Sequence, residues 1–232
     1  MTELPFAALQ SRPATTTTDL VYRKLHDAIV ALELPPGTKM SEADVARQLD
    51  VSRQPVRDAF FRLSERGFLL IRPQRATLVS KISEVAVRQA AFVRTALELA
   101  CLREAIKRAT DSDLAALEDL LDRQKGAIER DASSEFHDLD DAFHRKICDI
   151  SGQGFAWSLI REQKAHMDRV RRLSLPANGP RAYGEHLDIM VAFRKGDVVS
   201  AEEHLTRHLS HVFEMVGIIR GRHPELFEDA GA

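Results

Sequence analysis

Histidines in the second half of the chain are the side chains best suited to metal chemistry. Asp140 and His144 are four residues apart in "DDAFHRKIC", so on a helix they point the same way. His186 follows in "EHLDIM", and the segment "EEHLTRHLSH" adds three more, His204, His208 and His211. Three imidazoles and a carboxylate that meet in a helical core would suit a divalent transition metal such as zinc or nickel. Spacing across separate helices does not show that they meet. A lone histidine is more often a surface group or a core residue with its own hydrogen bonds.

A run of arginines in the first third of the chain could bind an anion. The stretch "VSRQPVRDAF" places Arg53 and Arg57 four residues apart around a proline. Residues 52–75 contain six arginines and two acids, although the whole chain has a net charge of -2. A nucleic-acid-binding protein need not be basic overall if its basic residues lie on one face. The alternative is a solvated helix surface, and the surrounding elements must decide between the two.

Composition excludes several classes of protein. The chain has 232 residues, of which 44% are hydrophobic and 29% charged, as is ordinary for a globular protein. It lacks an apolar run long enough to span a membrane, and its N-terminus does not resemble a signal peptide. Cys101 and Cys148 are far apart and form neither a disulfide framework nor a CxxC motif. These features predict a cytoplasmic protein with no membrane partner.

The first 80 residues have the pattern of a winged helix-turn-helix. A helix capped by Thr18 or Asp19 runs to the turn "LPPGT", and a short helix begins after Ser41. A third helix has Ser52 at its N-cap and stops at Gly67. The β-prone runs "FLLI" and "ATLV", joined by "RPQR", predict a two-stranded hairpin. Three helices followed by a small hairpin in this length are typical of a DNA-binding domain.

Beyond Ile82 the sequence predicts helices only. They are expected at 82–109, 111–130, 134–150, 154–174, 181–195 and 197–220, with a break at "LPANGP" (175–180). Apolar stripes such as Leu114, Leu117 and Leu121 favour an antiparallel all-α bundle. The expected organisation is a flexible N-terminal tail, a DNA-binding domain, an all-helical domain and a C-terminal tail, at 1–17, 18–80, 81–222 and 223–232.

The N-terminal turn of the third helix is the predicted DNA-reading element. In a helix-turn-helix, the start of the second helix of the motif enters the major groove. Arg53 and Arg57 share one face of that turn, and arginine suits both the edge of guanine and a phosphate. The other predicted DNA contacts are polar groups at the same turn and basic groups of the hairpin, namely Ser52, Gln54, Arg72 and Arg75.

These segments together resemble a known family. The "PPG" turn, "VSRQPVRDA" and "RLSERG" are similar to the DNA-binding domain of GntR-type bacterial transcription regulators. The helical remainder resembles the FCD effector domain of the FadR-like branch. Ala43 stands where the family often has an arginine, which implies fewer DNA anchors. Ala76 stands where the wing tip usually has glycine, which argues against deep entry of the wing into the minor groove.

The resemblance also selects among the histidines. FCD domains that bind metal carry a D-x-x-F-H motif, then "EH" and then "HL", which match Asp140, His144, His186 and His208. The other two histidines of the last helix are weaker matches. The resemblance therefore implies one divalent metal in this domain, with zinc preferred over nickel or manganese.

The same resemblance implies an effector. In the family an arginine at the position of Arg94 often lines the cavity, and a metal with open positions would receive a carboxylate. The expected effector is a small organic acid, such as a sugar acid or dicarboxylate. The alternative is that Arg94 pairs with Glu98 at the surface, one helical turn on.

The function predicted from these features is a ligand-responsive transcription regulator, a repressor, that binds an inverted-repeat DNA operator as a homodimer. A metal-dependent hydrolase is the contrasting class, since a His/Asp site could activate water. The sequence has no HExxH motif, nucleophile elbow or glycine-rich phosphate loop, so it is not predicted to be an enzyme. A third alternative is an adaptor that has lost DNA binding, against which the retained arginines argue.

Overall fold

The computed structural model describes residues 15–72 and 75–229, with only the backbone described at 175–177. The chain divides into two compact units, Met1–Lys81 and Ile82–Ala232. Most of the expected N-terminal tail and the centre of the "RPQR" connection lie outside the described residues.

The first unit contains three helices and a small antiparallel sheet. Its elements are α1 (Thr17–Val30), β1 (Lys39–Met40), α2 (Glu42–Leu49), α3 (Arg53–Glu65), β2 (Leu69–Leu70) and β3 (Thr77–Val79). The strand order is β1-β3-β2, so the predicted hairpin is extended by a third strand. The sequence did not reveal β1 because two residues are too few to show the alternation of a strand.

Capping side chains fix where the first helices begin. The Thr16 hydroxyl accepts a hydrogen bond from the Asp19 N–H at 3.1 Å, and Asp19 accepts one from the Thr16 N–H at 3.1 Å. The helix therefore starts before the predicted cap at Thr18 or Asp19. Ser41 caps α2 as predicted, since its hydroxyl accepts from the Asp44 N–H at 3.1 Å. Ser52 occupies the N-cap of α3, but its side chain makes no capping hydrogen bond.

The described part of the second unit contains five long helices. They are α4 (Glu84–Arg108), α5 (Asp111–Glu129), α6 (Ser133–Ile150), α7 (Phe155–Lys195) and α8 (Val198–Arg222). Leu117 and Leu121, from the predicted stripe on α5, pack in one apolar cluster with Phe143, Ile189 and Leu205. The prediction of a mainly α chain, with a small winged domain followed by a helical bundle, is confirmed. None of the described helices combines the length and apolar character needed to cross a membrane.

Helix α7 continues through 175–180, where the sequence predicted a break. That prediction is wrong. A proline inside a helix removes one backbone hydrogen bond and crowds the preceding turn, at a cost of about 3 kcal/mol. On both sides of the segment, however, α7 is anchored in apolar clusters, through Met167 and Val170 before it and Ile189 and Phe193 after it. Tertiary packing therefore outweighs the local preference for a turn.

Residues 223–229, expected to belong to a tail, pack on the helical unit. A short 3₁₀ turn at Pro224–Leu226 leads to Phe227, which is buried beside Ile82. The Ile82 N–H donates to the Leu226 carbonyl at 2.8 Å, and the Glu228 N–H donates to the Ile82 carbonyl at 3.1 Å. This pairing also explains why α4 begins at Glu84 rather than at the predicted residue 82. The buried side chain of Phe227 anchors residues 223–229 in an apolar cluster of the helical unit.

Candidate metal centre and nucleic-acid interface

The first turn of α3 presents the polar residues predicted to contact DNA. Its opposite face is buried in the first unit through Val56, Ala59, Phe60 and Leu63. The exposed residues of the turn are Ser52, Arg53, Gln54 and Arg57. Since Ser52 does not cap the helix, the first backbone N–H groups of α3 are available to a phosphate.

Neighbouring acids orient two of these exposed side chains. The Arg57 Nε lies 3.2 Å from the Glu42 Oε2 of α2, and the Gln54 Nε2 donates to the Asp58 Oδ1 at 2.9 Å. Both pairs are exposed to solvent, where an ion pair contributes little stability. Their effect is to limit the directions in which Arg57 and Gln54 extend.

The remaining arginines of residues 52–75 fall into two groups. Arg62 pairs with Asp19 at 2.7 Å and lies over the Tyr22 ring, and Arg66 lies over the same ring. These two arginines hold α3 against α1. Arg72 and Arg75 are exposed in the connection between β2 and β3. The local excess of positive charge is therefore partly structural and partly surface.

Asp140, His144, His186 and His208 converge in the core of the second unit. Each is buried, and each offers one ligand atom within 4.8 Å of the others. The His208 Nε2 lies 3.2 Å from the His144 Nε2 and 3.3 Å from the His186 Nε2. Four donors at tetrahedral bond lengths of 2.0–2.1 Å would be about 3.3 Å apart. The cluster therefore has the size and donor chemistry of a divalent metal site.

The second nitrogen of each imidazole faces an acceptor from another residue. The pairs are His144 Nδ1 with Glu98 Oε2 at 2.6 Å, His186 Nδ1 with Gln124 Oε1 at 2.9 Å and His208 Nδ1 with Glu185 Oε2 at 2.9 Å. For His186 and His208 these acceptors favour the proton on Nδ1, so the lone pairs of their Nε2 atoms face the cluster. Converging lone pairs repel unless a cation lies between them.

Charge around the cluster keeps its ligands in the coordinating form. Burial lowers the pKa of His208, and burial together with His208 holds the pKa of His186 well below its ordinary value, which favours neutral imidazole. Burial alone would raise the pKa of Asp140, but Arg171 and the nearby histidines hold it well below its usual range. The Arg171 Nη2 donates to the Asp140 Oδ2 at 2.5 Å. The Oδ1 of Asp140, the oxygen nearer His186, has no hydrogen-bond partner among the described residues.

A cavity lies beside this cluster and reaches His208. Its wall includes Arg94 and Arg171, with Ser174 and Asn178 of α7 further along. Arg94 is 2% exposed and its Nε donates to the Glu98 Oε1 at 2.6 Å, so the pair is buried rather than at the surface. The Arg94 Nη2 is buried and has no hydrogen-bond partner in the described part of the chain. That nitrogen can serve a ligand in the cavity.

The two other histidines of α8 lie outside the cluster. His204 faces Arg207 at 2.9 Å on the surface of α8. His211 lines the cavity, where its Nδ1 lies 2.9 Å from the Glu185 Oε1 and its Nε2 lies 2.6 Å from Arg181.

Sequence reasoning missed the residues that support the metal ligands. Gln124 is 0% exposed, and it lies seven residues after Leu117 on the apolar stripe of α5. A polar residue on such a stripe could have indicated a role in the core. Arg171 had a weaker signal, since it stands in the basic run "RVRRL" that would suit a surface equally well.

Models of two protein families match the chain, one in each unit. Residues 17–79 match the bacterial regulatory proteins of the gntR family, and residues 89–211 match the FCD domain. The chain belongs to the GntR family. This GntR-family protein is a DNA-binding transcription regulator and not an enzyme, and the hydrolase alternative is set aside.

Curated relatives are similar over nearly the whole length of this regulator. The HTH-type transcriptional repressor RspR of Escherichia coli is 39% identical over 222 residues, which cover 95% of this chain and 97% of the relative. A regulator from an unstable DNA locus of Streptomyces ambofaciens is 36% identical, covering 89% of this chain and 88% of its own.

Solved structures share the fold at lower identity. McbR/YncC of Escherichia coli superposes with a TM-score of 0.72 at 21% identity, covering 90% of this chain and 99% of its own. A GntR transcriptional regulator from a Rhodococcus species superposes with a TM-score of 0.70 at 23% identity. The match covers 88% of this chain and 99% of the Rhodococcus chain.

Proposed function

We propose that this GntR-family regulator is a metal-dependent repressor that binds an inverted-repeat operator as a homodimer and responds to a small organic acid. The observation that carries the proposal is the convergence of three imidazole Nε2 atoms and the Asp140 Oδ1 in a buried cluster. Zinc is the preferred metal, since imidazole nitrogens and a carboxylate oxygen are among its usual ligands and its coordination can expand to five, which leaves a position for a further oxygen. Nickel and manganese remain alternatives.

The DNA-binding part of the proposal rests on the exposed first turn of α3. One recognition helix per subunit reads one half-site, so two subunits would read an inverted repeat. A repressing role is supported by the relative RspR, which is described as a transcriptional repressor and is similar to this chain over 95% of its length. The exposed Arg53 and Arg57 also argue against the alternative of an adaptor that has lost DNA binding. A cytoplasmic location, as expected for a protein that binds DNA, remains a prediction.

A mobility-shift experiment tests the whole proposal. The DNA is the promoter region beside the regulator's own gene, and the protein is the full chain, zinc-loaded or stripped by a chelator. The proposal expects a zinc-dependent shift that some organic acid changes. A shift that is identical with zinc, without zinc and with every acid tried would refute the metal-dependent signal while leaving DNA binding intact.

The effector arm of the proposal uses the free nitrogen of Arg94. The metal would hold one carboxylate oxygen, and the Arg94 Nη2 would meet the other or the adjoining group, because it is buried in the wall and otherwise unpartnered. The Glu98 pair fixes the guanidinium in place. Because the guanidinium is already held in place, little side-chain conformational entropy is lost when a ligand binds to it.

Replacement of Arg94 by alanine is expected to weaken acid binding by about tenfold to a hundredfold, since a charge-assisted hydrogen bond contributes about 1.5–3 kcal/mol. Calorimetric titration of zinc-loaded protein is the measurement. Arg103→Ala, an exposed arginine further along α4, is the matched control and should bind as wild type does. Equal affinity of the Arg94 variant and wild type for every acid that binds would show that Arg94 is not an anchor.

Gln124→Met is expected to lower zinc affinity by about tenfold to a hundredfold, as is usual when a group that orients a metal-bound imidazole is lost. Methionine fills the same volume but cannot accept the His186 Nδ1 proton. Competition with a chromogenic chelator gives the affinity. Leu121→Met, one turn earlier on α5 in the apolar core, is the control for packing. If both variants lose affinity equally, packing rather than hydrogen bonding is responsible.

The pH dependence of zinc binding follows from the lowered pKa values of His186 and His208. Neutral imidazole is the ligand, and these two remain neutral below the ordinary histidine pKa of about 6.5. Zinc affinity should therefore fall less between pH 7.5 and pH 6.5 than it would if both of these ligands had the ordinary histidine pKa. A titration of affinity against pH checks this. A steep fall already above pH 6.5 would contradict it.

A further inference from the structure

The segment that follows α8 holds the start of the helical unit in place. We call residues 224–228 the C-terminal strap. The Ile82 N–H donates to the Leu226 carbonyl of the strap at 2.8 Å, and the Ile82 carbonyl accepts from the Glu228 N–H at 3.1 Å. Ile82 is the first residue of the helical unit and directly follows Lys81, the last residue of the DNA-binding unit. The strap therefore binds the residue through which the DNA-binding unit is connected.

Arg220, in the last turn of α8, reinforces this attachment. Its guanidinium pairs with Glu84 in the first turn of α4. Its Nη2 also donates to the Glu228 carbonyl at 3.3 Å, and the guanidinium lies 6.0 Å from the centroid of the Phe227 ring. One side chain thus contacts both the strap and the start of α4.

The Phe227 side chain is buried in an apolar cluster that three helices build. Phe227 and Ile82 are each 1% exposed. The helical members of the cluster are Val87, Ala90 and Ala91 of α4, Met167 and Val170 of α7, and Val212, Val216 and Ile219 of α8. Met167 and Val212 also line the cavity beside the metal cluster. The surface that receives the strap is therefore continuous with the cavity wall.

One buried face of α8 runs from the metal cluster to the strap. His208 is a proposed metal ligand, and Val212 lines the cavity. Val216 and Ile219 follow in the cluster around Phe227. Helical spacing places these residues along one side of α8, over about 17 Å. A metal ion with one ligand from α7 and one from α8 restrains two of the three helices that receive Phe227.

We infer that Phe227 is a positioning residue for the DNA-binding unit, and that a metal ion at the cluster strengthens docking of the strap. The docked strap restricts the backbone at Ile82, whereas a released strap leaves that connection free to turn. In a dimer that reads two half-sites at fixed spacing, a free connection lowers affinity, because both units must be ordered when DNA binds. This inference rests on the metal site of the proposed function.

Hydrogen exchange of the full chain, zinc-loaded or stripped by a chelator, tests the coupling without DNA. Zinc is expected to slow exchange by about fivefold in peptides that contain Ile82 or the strap, at the lower end of the usual range for coupled sites. Peptides from the first turns of α5, which contributes no ligand to the cluster, are the control. Equal slowing in α5 and the strap would indicate a change in global stability and overturn the inference, as would an unchanged strap.

Two substitutions of Glu228 separate the backbone bond of the strap from its side chain. Glu228→Pro removes the N–H that donates to Ile82, and the extended backbone of Phe227 is compatible with a following proline. Glu228→Ala keeps that N–H and loses only the carboxylate. Since coupling is reciprocal, Glu228→Pro should lower zinc affinity by the same factor of about fivefold, while Glu228→Ala should bind zinc as wild type does. Competition with a chromogenic chelator measures both, and equal affinities in the two variants would refute the coupling.

Operator binding supplies a readout that a merely structural role would not change. The ratio of operator Kd without zinc to Kd with zinc should be about fivefold smaller in Glu228→Pro than in Glu228→Ala. Phe227→Ala should reduce the ratio by the same factor. Phe213→Ala, which alters an exposed phenylalanine of α8, is its control and should keep the wild-type ratio.

The outcomes distinguish the strap from the metal signal. Equal ratios within both pairs of variants would overturn the inference and leave the proposed function intact. A wild type that binds no zinc, or whose operator affinity ignores zinc, would remove the metal-dependent signal and the inference with it. Circular dichroism verifies folding, and if Phe227→Ala does not fold, the Glu228 pair and the exchange of wild type decide.

Discussion

Removal of the metal is expected to lower the thermal stability of the helical unit more than any single surface change. Ligands from α6, α7 and α8 meet at the cluster, so a bound ion ties three helices together. At free zinc a thousandfold above Kd, binding contributes about 4 kcal/mol. For a unit of this size that corresponds to a rise in Tm of about 10 °C. Calorimetry of protein with and without a strong chelator measures the difference.

Two alanine variants on the same helix sharpen this experiment. His208→Ala removes a ligand and should abolish stoichiometric zinc, as measured by elemental analysis of protein never exposed to chelator. His204→Ala, one turn away and outside the cluster, should keep one zinc per chain. In the His208 variant the chelator should no longer change Tm. An unchanged zinc content in His208→Ala, or a wild-type Tm that ignores the chelator, would remove the metal from the proposal.

Without metal, the same cluster makes the fold sensitive to acid. Burial lowers the pKa of His137, His186 and His208 in the folded chain, whereas the unfolded chain has ordinary histidines. Between the folded and unfolded pKa values the unfolded state binds more protons, so the free energy of unfolding falls as pH drops below about 6.5. Zinc should oppose this loss because it binds the neutral form. The stabilising effect of zinc is thus expected at neutral pH and lost in acid.

How much the sequence predicts depends on how local the responsible forces are. The start of α2 was predictable because Ser41 and Asp44 are neighbours whose hydrogen bond needs no other part of the chain. The continuity of α7 was not predictable, because the residues that anchor it on either side of 175–180, such as Val170 and Phe193, act through packing with distant helices. Strand β1 likewise exists only through its pairing with β3.

The candidate site shows the same division. The ligands Asp140 and His144 share one helical face and were visible as a pair, whereas their meeting with His186 and His208 was implied only by a family resemblance. The supporting residues depend entirely on the three-dimensional arrangement. Gln124 reaches His186 across 62 residues of sequence, and Arg171 reaches Asp140 across 31. No spacing rule predicts such contacts.

Loss of DNA binding is the expected result of reversing the charge at the start of α3. Arg53 and Arg57 are exposed on the turn that the helix-turn-helix geometry directs into the major groove, while the other face of α3 is buried. Alanine at either position should cost about 1–3 kcal/mol, or about five- to 150-fold in Kd, if that arginine reads a base. Arg53→Glu and Arg57→Glu should each weaken binding by about a hundredfold or more, since repulsion from phosphate adds to the lost contact.

A matched control shows whether a loss of DNA binding comes from the position of the arginine or only from the change in net charge. Arg123→Glu makes the same change in net charge on an exposed position of α5, in the other unit, and should bind DNA nearly as wild type does. Mobility shifts at several salt concentrations distinguish an arginine that contacts a base from one that contacts a phosphate. A base-reading arginine relaxes specificity at one position of each half-site, whereas a phosphate-binding one lowers the salt dependence for every sequence. Because Arg57 also pairs with Glu42, a thermal melt of each variant must show an intact first unit. Wild-type affinity in both charge-reversed variants at moderate salt would mean that this turn of α3 does not lie in the groove.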